Sequence, residues 1–306
     1  FFYNGGNDSM DTCNKISKYL QSQNYECRII GVPKTIDNDL YGTDHCPGYG
    51  SAAKYVATTM MEIYLDTHVY NTGIVTVVEV MGRNAGWLTA AASLATLKGY
   101  GPDLIYLPEK PFDVKQFMED VKRVSAEKNG KVIAVISEGV KDKDGKYISE
   151  YGAELKRDSF GHAQLGGAAS ILAGMVQDEL HVKVRPIEFS LMQRCAAHLA
   201  SGTDIEEAFM AGAMAVRYAV EGETDKMVVF KREEGPEYKI SYELMDVALA
   251  ANTEKKVPLE WIKEDNTGLS EEFYAYALPL IQGPANNKQE DSLPRFAKLK
   301  KVLATK

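Results

Sequence analysis

Cysteine is scarce in this chain: there are four in 306 residues, and no two form a Cys-x-x-Cys pair. Cys13, Cys27, Cys46 and Cys195 fall in apparent helices, strands and loops alike, a scatter that excludes a disulfide framework and points to reduced, cytoplasmic usage. The five histidines show no His-x-x-x-His or similar spacing, which argues against a zinc site. No apolar run approaches the ~20 residues that a membrane span requires, and the opening residues show no signal-peptide pattern, so no membrane partner is expected. Basic residues are in the minority, 35 Lys and Arg against 43 Asp and Glu. The resulting net charge of −8 and pI of about 5.3 argue against nucleic acid as a partner. Anionic small molecules remain open, because a few local cations can offset a negative overall field. No internal repeat is present.

What the chain does have is apolar content, 45% of its residues, enough for one large core or two smaller ones. Short β-branched runs alternate with amphipathic or alanine-rich segments along most of the length. Strands are expected at Phe1–Tyr3, Cys27–Val32, Gly73–Val80, Leu104–Leu107, Lys131–Ser137, His181–Glu188 and Met227–Lys231. Helices are expected from Ser9, as N-cap, to about Gln23, and over Ser51–Thr67, Ala85–Leu97 with Asn84 as cap, Val114–Lys128, Gly167–Leu180 and Ile205–Val220. Strict alternation of this kind predicts an α/β fold with largely parallel sheets. Lys141–Gly161 reads as an exposed loop or hairpin, Asn286–Asp291 as a polar surface segment, and the tail after about Leu244 as helical and irregular. Gly48-Tyr49-Gly50-Ser51-Ala52-Ala53 matches a G-x-G-x-x-A dinucleotide fingerprint in letters only. The residues before it form a turn rather than the strand that the fingerprint needs, so the glycines are assigned to close packing of the helix that follows.

Chemistry concentrates in Pro33-Lys34-Thr35-Ile36-Asp37-Asn38-Asp39, directly after an expected buried strand. Loops at the carboxyl ends of strands are where open α/β sheets bind ligands. Asp37 and Asp39 are spaced i, i+2, which puts both on one face of an extended segment, and Lys34 reaches the same volume. A base, a second carboxylate and a cation suit phosphoryl transfer. The structural alternative is a polar turn in which Asp37 or Asn38 caps the next helix. Three other strand ends carry polar groups: Gly5-Gly6-Asn7-Asp8-Ser9, whose amides can meet an anion at a helix start; Met81-Gly82-Arg83, which can hold a phosphate or transition-state charge; and Glu138-Gly139, whose carboxylate can bond a sugar hydroxyl.

With these motifs in order, and Gln193-Arg194 after them, the chain resembles the phosphofructokinase family over nearly its whole length. Lys256-Val257-Pro258-Leu259-Glu260 and Tyr276–Gly283 look like its pyrophosphate-using branch. The resemblance implies two Rossmann-like α/β/α lobes with the active site in the cleft between them. Residues 1–45 and 68–110 would belong to the donor-binding lobe, 111–250 to the fructose 6-phosphate lobe, and 251–306 to a C-terminal helical extension. It implies Asp37 as the general base for the sugar's 1-hydroxyl, Arg83 and Lys34 as catalytic cations, and Thr35, Ile36 and Asp39 around the reacting hydroxyl. Met81 and Gly82 would line the sugar pocket, Glu138 would contact sugar hydroxyls, and Arg185 and Arg194 would hold the 6-phosphate. Gly6, Asp8, Ser9 and Lys34 would meet the donor.

Magnesium would sit at Asn7 and Asp8. Asn7 replaces the family's aspartate, and an amide is the weaker ligand, so Asp8 or Asp39 is expected to carry the ion. ATP-using relatives place glycine at the positions of Lys34 and Asp8. Lysine fills the space near a nucleotide's α-phosphate and can neutralise pyrophosphate, and Asp8 repels a nucleotide, so the donor is expected to be pyrophosphate. Two further departures are Leu191, where the family often has His or Tyr, and Ile74, where many relatives place an arginine that serves the neighbouring subunit. The second weakens the case for a cross-subunit site, although a homodimer is still expected. ATP dependence with the same acceptor is one alternative, and a non-catalytic sugar-phosphate-binding or scaffold chain is another. The family's opening βα unit, whose Gly-rich loop cradles donor phosphates, precedes the first motif found here. The 306-residue chain by itself is therefore expected to be inactive or nearly so.

Overall fold

The strands are short and apolar on both faces, so each sheet must be covered by helices above and below, and alternate residues of one strand enter different cores. The computed structural model describes residues 1–152, 166–250 and 253–303. Two four-stranded sheets organise it. The first has the order β1 (Phe2–Gly5), β2 (Ile30–Pro33), β7 (Lys226–Arg232), β8 (Ile240–Asp246). Its first three strands are parallel and β8 pairs with β7 antiparallel. The second has the order β4 (Leu104–Tyr106), β5 (Lys131–Ser137), β3 (Ile74–Val80), β6 (Val184–Glu188), parallel throughout.

Each sheet is the middle of three layers. In the first, α1 (Asn7–Ser22) and α7 (Val247–Ala250) cover Ile29, Met227 and Val229, while α6 (Gly202–Glu221) covers Ile30, Val32, Val228 and Phe230 through Ala211 and Ala215. In the second, Val78 and Val80 of β3 face α2 (Tyr49–His68) and α3 (Trp87–Ala91). Val75 and Val77 of the same strand face α4 (Val114–Glu127) and α5 (Ala168–Leu180). Full burial of a Val or Leu side chain contributes about 1.5–3 kcal/mol, so this two-sided pattern fixes the register of β3.

The expected division of the chain is corrected by the strand pairing. β3 and β4, assigned to the lobe containing residues 1–45, lie in the second sheet; β7 and β8, assigned to the other lobe, lie in the first. The chain leaves the first sheet after β2 and returns to it because α6 packs its alanine face on Ile30 and Val32. The C-terminal region is helical only in part. A 3₁₀ turn at Leu259–Trp261, α8 (Glu271–Ala277) and a 3₁₀ turn at Leu278–Ile281 give way to a two-residue hairpin, β9 (Gln289–Glu290) with β10 (Leu293–Pro294).

Two caps also differ from expectation. α1 starts at Asn7 with Gly6 as N-cap, so Ser9 lies inside the first turn. α3 starts at Trp87 with Gly86 as N-cap, which frees Asn84 for another partner. Gly48, at φ +102°, caps α2, and a Cβ on Gly50 would fall 2.3 Å from the Leu280 carbonyl oxygen. These two glycines therefore serve a helix start and close packing, as assigned. Of the Lys141–Gly161 loop, residues 153–161 lie outside the described residues. All four cysteines are free thiols. No helix among the described residues is long and apolar enough to cross a membrane.

Candidate active site

The carboxyl ends of β1, β2, β3 and β5, with the 3₁₀ turn Ser190–Arg194 after β6, open on a common cleft between the two sheets. One part, about 370 Å³, is lined by Gly6, Asn7, Asp8 and Ser9 from the β1 turn and by Thr35, Asp37 and Asp39 from the β2 turn. Met81, Arg83, Asn84 and Ala85 after β3, Glu138 after β5, Arg194 and Glu254 complete it. A neighbouring cavity of about 480 Å³ shares Thr35, Asp37, Met81 and Arg194. It adds Lys34, Ile36 and Asp204, and a small-residue wall that includes Ala196, Ala197 and Ala200.

Backbone and side-chain hydrogen bonds hold these groups in place. Lys34 N–H donates to the Gly5 carbonyl at 3.1 Å, tying the β2 turn to the β1 turn. Asp37 N–H donates to Thr35 Oγ1 at 3.2 Å. Met81 N–H donates to Gln193 Oε1 at 3.1 Å, and Gly82 N–H to Glu138 Oε1 at 3.2 Å. A Cβ on Gly139 would fall 1.9 Å from the Arg83 carbonyl oxygen, so only glycine lets the β5 loop lie this close behind Arg83. The Arg83 Nε is buried and meets no acceptor among the described residues, although the side chain lines the cleft.

The charges are coupled. Burial raises the Asp37 pKa, and the nearby positive charges of Arg83, Lys34 and Arg194 oppose that rise. Burial, with the Asp37 and Glu254 charges, pushes Asp39 up to about 7. Burial likewise raises Glu138, together with the Asp37 charge and against Arg83 and Arg194. A carboxylate whose pKa is raised by burial, with cations beside it, is equipped to accept a hydroxyl proton.

Asn7 Nδ2 donates to Asp39 Oδ2 at 2.8 Å, while Asn7 Oδ1 is buried with no partner among the described residues. Asn7, Asp8 and Asp39 are hard oxygen donors on one side of the cleft, the type that magnesium prefers. Among the described residues no three His, Cys, Asp or Glu side chains converge closely enough to hold a metal by themselves. The set therefore fits an ion that takes most of its ligands from water and substrate oxygens, the usual habit of magnesium.

Of the residues expected at the site, the structure gathers Gly6, Asn7, Asp8, Ser9, Lys34, Thr35, Ile36, Asp37, Asp39, Met81, Arg83, Glu138 and Arg194 around the two cavities. Gly82 is not a lining residue and contributes through its amide bond to Glu138. Arg185 is a correction: it sits on β6, pairs across the strand with Thr76, near the amino end of β3, and forms an ion pair with Asp66 of α2, outside both cavities of its own chain. Sequence reasoning missed Glu254, which accepts from Asn84 Nδ2 at 2.6 Å. It also missed Asp204, which accepts from the Gly48 and Ser51 amides at 2.7 and 3.0 Å. Both are distant in the chain from the motif loops, and no local pattern marks them.

Oxygen donors facing a base flanked by cations, at the strand ends of a doubly covered parallel sheet, define the site of a phosphoryl-transfer enzyme. Residues 1–186 match the Phosphofructokinase family, and the chain belongs to that family. It is 44% identical to the pyrophosphate–fructose 6-phosphate 1-phosphotransferase of Xanthomonas campestris pv. campestris, over all of this chain and 73% of that protein. It is 33% identical to the sulfofructose kinase of Alkalicoccus urumqiensis, over 85% of this chain and 67% of that one. The crystal structure of pyrophosphate-dependent phosphofructokinase from Nitrosospira multiformis superposes with a TM-score of 0.88 at 37% identity, covering all of this chain and 73% of that one.

Proposed function

We propose that this protein transfers a phosphoryl group from pyrophosphate to the 1-hydroxyl of fructose 6-phosphate, giving fructose 1,6-bisphosphate and phosphate. The observation that carries this reading is the position of Asp37. It lines both cavities, with Arg83 and Arg194 beside it and Lys34 on the sugar side. The names of the similar proteins support the same donor and acceptor.

In this reading pyrophosphate occupies the cavity lined by Asn7, Asp8 and Asp39, the donor side, and the sugar occupies the cavity walled by Ala196, Ala197 and Ala200, with its 6-phosphate on Arg194 and its reacting end turned across the shared edge toward Asp37 and Glu138. Asp37 takes the 1-hydroxyl proton. The sugar oxygen forms its bond to the near phosphorus as the bridging P–O bond breaks, and inorganic phosphate leaves with the electron pair. Arg83 and Lys34 balance the charge on the transferring group. Transfer is direct, with no covalent enzyme intermediate, and freely reversible. Magnesium would be held beside Asn7, Asp8 and Asp39 and would supply neutralisation of the donor's charge when bound. Asp8 lines the donor side, where its carboxylate repels a bulkier nucleotide, and Lys34, expected to meet the donor, lines the sugar side instead and reaches the transferring group from there.

The test is fructose 1,6-bisphosphate formation, with magnesium and either pyrophosphate or ATP, by a protein that carries this chain together with any donor-loop unit that precedes it. Turnover with pyrophosphate alone is expected. Equal turnover with ATP would overturn the donor assignment. Tight fructose 6-phosphate binding with no turnover from either donor would overturn the enzymatic reading in favour of a sugar-phosphate-binding subunit.

A further inference from the structure

The Asp37–Asp39 turn is held from behind by a part of the chain more than 200 residues away. Asn38, between the two aspartates, has φ +57° and no exposed surface. Asparagine is among the few non-glycine residues that enter this region readily, and here both ends of its amide are also engaged. The Asn38 Oδ1 accepts from Cys46 N–H at 2.9 Å, and its Nδ2 donates to the Tyr276 hydroxyl at 2.7 Å. That hydroxyl donates onward to the Asp44 carbonyl at 2.9 Å.

Tyr276 is itself clamped. Its ring packs 5.1 Å from Trp87 and 5.8 Å from Trp261, and the Arg232 guanidinium lies 4.9 Å from it. Lys255 adds a second hold. Its N–H donates to the Asp39 carbonyl at 2.7 Å, its ammonium donates to the Asp44 carbonyl at 2.6 Å, and its carbonyl accepts from Trp87 Nε1 at 2.9 Å. Residues 255 and 276 thus fix the two residues that follow Asp37 without touching either cavity.

We infer that Tyr276 is a positioning residue for the transfer reaction, acting through Asn38 to hold the Asp37 carboxylate at the attacking hydroxyl. The inference rests on the reading of Asp37 as the base. Geometry of this kind matters most at the transition state, where displacement of a catalytic group by an ångström can cost on the order of 100-fold in rate. Replacing the phenol by Phe keeps the aromatic packing, strands the Asn38 amide and loosens the turn. The loss then falls on kcat, because the groups that bind the sugar phosphate stay in place.

The experiment compares Tyr276→Phe with Trp261→Phe, which disturbs the same aromatic cluster without touching the turn. Tyr276→Phe should lower kcat about tenfold or more, leave the KM for fructose 6-phosphate within about twofold, and speed backbone hydrogen exchange in peptides covering residues 35–46. Trp261→Phe, at a similar loss of Tm, should do neither. Equal effects of the two variants, or unchanged exchange in Tyr276→Phe, would reduce Tyr276 to a packing residue and overturn the inference. Should Tyr276→Phe fail to fold, Asn38→Gly, which tolerates the same φ and removes both side-chain bonds, must show the same split between kcat and KM or the inference fails. Absence of wild-type turnover would count against the proposed function, and the exchange measurement would still decide the role of Tyr276.

Discussion

The two cavities that meet at Asp37 are built on opposite electrostatic plans. The donor side carries Asp8, Asp37, Asp39, Glu138 and Glu254 against two guanidiniums, Arg83 and Arg194. The sugar side carries Lys34 and Arg194 against Asp37 and Asp204, and most of its remaining wall is alanine, isoleucine and methionine. Burial first, and like-charge repulsion from Asp37 and Glu254 second, push Asp39 up to about 7 on the donor side, which favours receiving a polyanion together with cations. The sugar side, in the proposed reading, suits a neutral ring with one charged end.

The largest expected effect comes from removing the residue that both cavities share. Asp37→Asn preserves shape and removes the base, and should lower kcat by about 10³-fold, within the range for loss of general-base catalysis. Fructose 6-phosphate binding, followed by calorimetry, should change little, since Arg194 and the alanine wall are intact. Retention of more than a tenth of the wild-type rate would show that another group takes the proton. The wild-type kcat/KM should fall as pH drops through the raised Asp37 pKa, because only the ionised carboxylate accepts a proton.

A substitution on the sugar side should divide the kinetic constants the other way. Arg194→Ala removes a charge-assisted contact to the 6-phosphate, worth about 1.5–3 kcal/mol. The KM for fructose 6-phosphate should rise about 10- to 100-fold, with the KM for pyrophosphate within a few-fold. A comparable rise in both would show that the cavities do not separate the two substrates.

This division was legible in the sequence only where residues lie in strand-end loops. Pro33–Asp39, Met81–Arg83 and Glu138 each follow an apolar β-branched run, and the run marks the loop as ligand-facing. Asn84 was misread as a helix cap because Asn is a common cap; here its amide meets Glu254, a partner 170 residues away. Glu254, Asp204 and Tyr276 have no local pattern, since their roles arise only when the C-terminal segment and α6 pack onto the β2 turn. The domain division failed for a related reason. The return of β7 to the first sheet depends on the face α6 presents, and sequence order carries no trace of it.

The raised pKa of Asp39 can be read as stability. Folding raises Asp39 from an ordinary 3.8 to about 7, through burial and the Asp37 and Glu254 charges. The folded state therefore holds that proton more tightly than the unfolded state, and ionising Asp39 costs stability progressively as pH climbs from 3.8 to 7. Asp39→Asn removes the cost, so the variant's Tm should exceed that of the ligand-free wild type by several degrees at pH 8, and the gain should vanish below pH 4. A stabilised but less active variant is the usual signature of a site built for function. A gain independent of pH would place its origin elsewhere.

The smallest and most specific effect is expected at Glu254. Its charge raises both Asp37 and Asp39, although it stands on the C-terminal segment and lines only the donor side. Glu254→Gln keeps an acceptor for Asn84 Nδ2 and removes the charge. The acid limb of the kcat/KM profile should move to lower pH by a fraction of a unit, because Asp37 then ionises more readily. The KM for fructose 6-phosphate should be unchanged. Magnesium dependence should weaken at the same time, as the donor side loses one of its five carboxylates. A shift of the limb to higher pH would mean that Glu254 acts on Asp37 through the placement of the turn rather than through its charge.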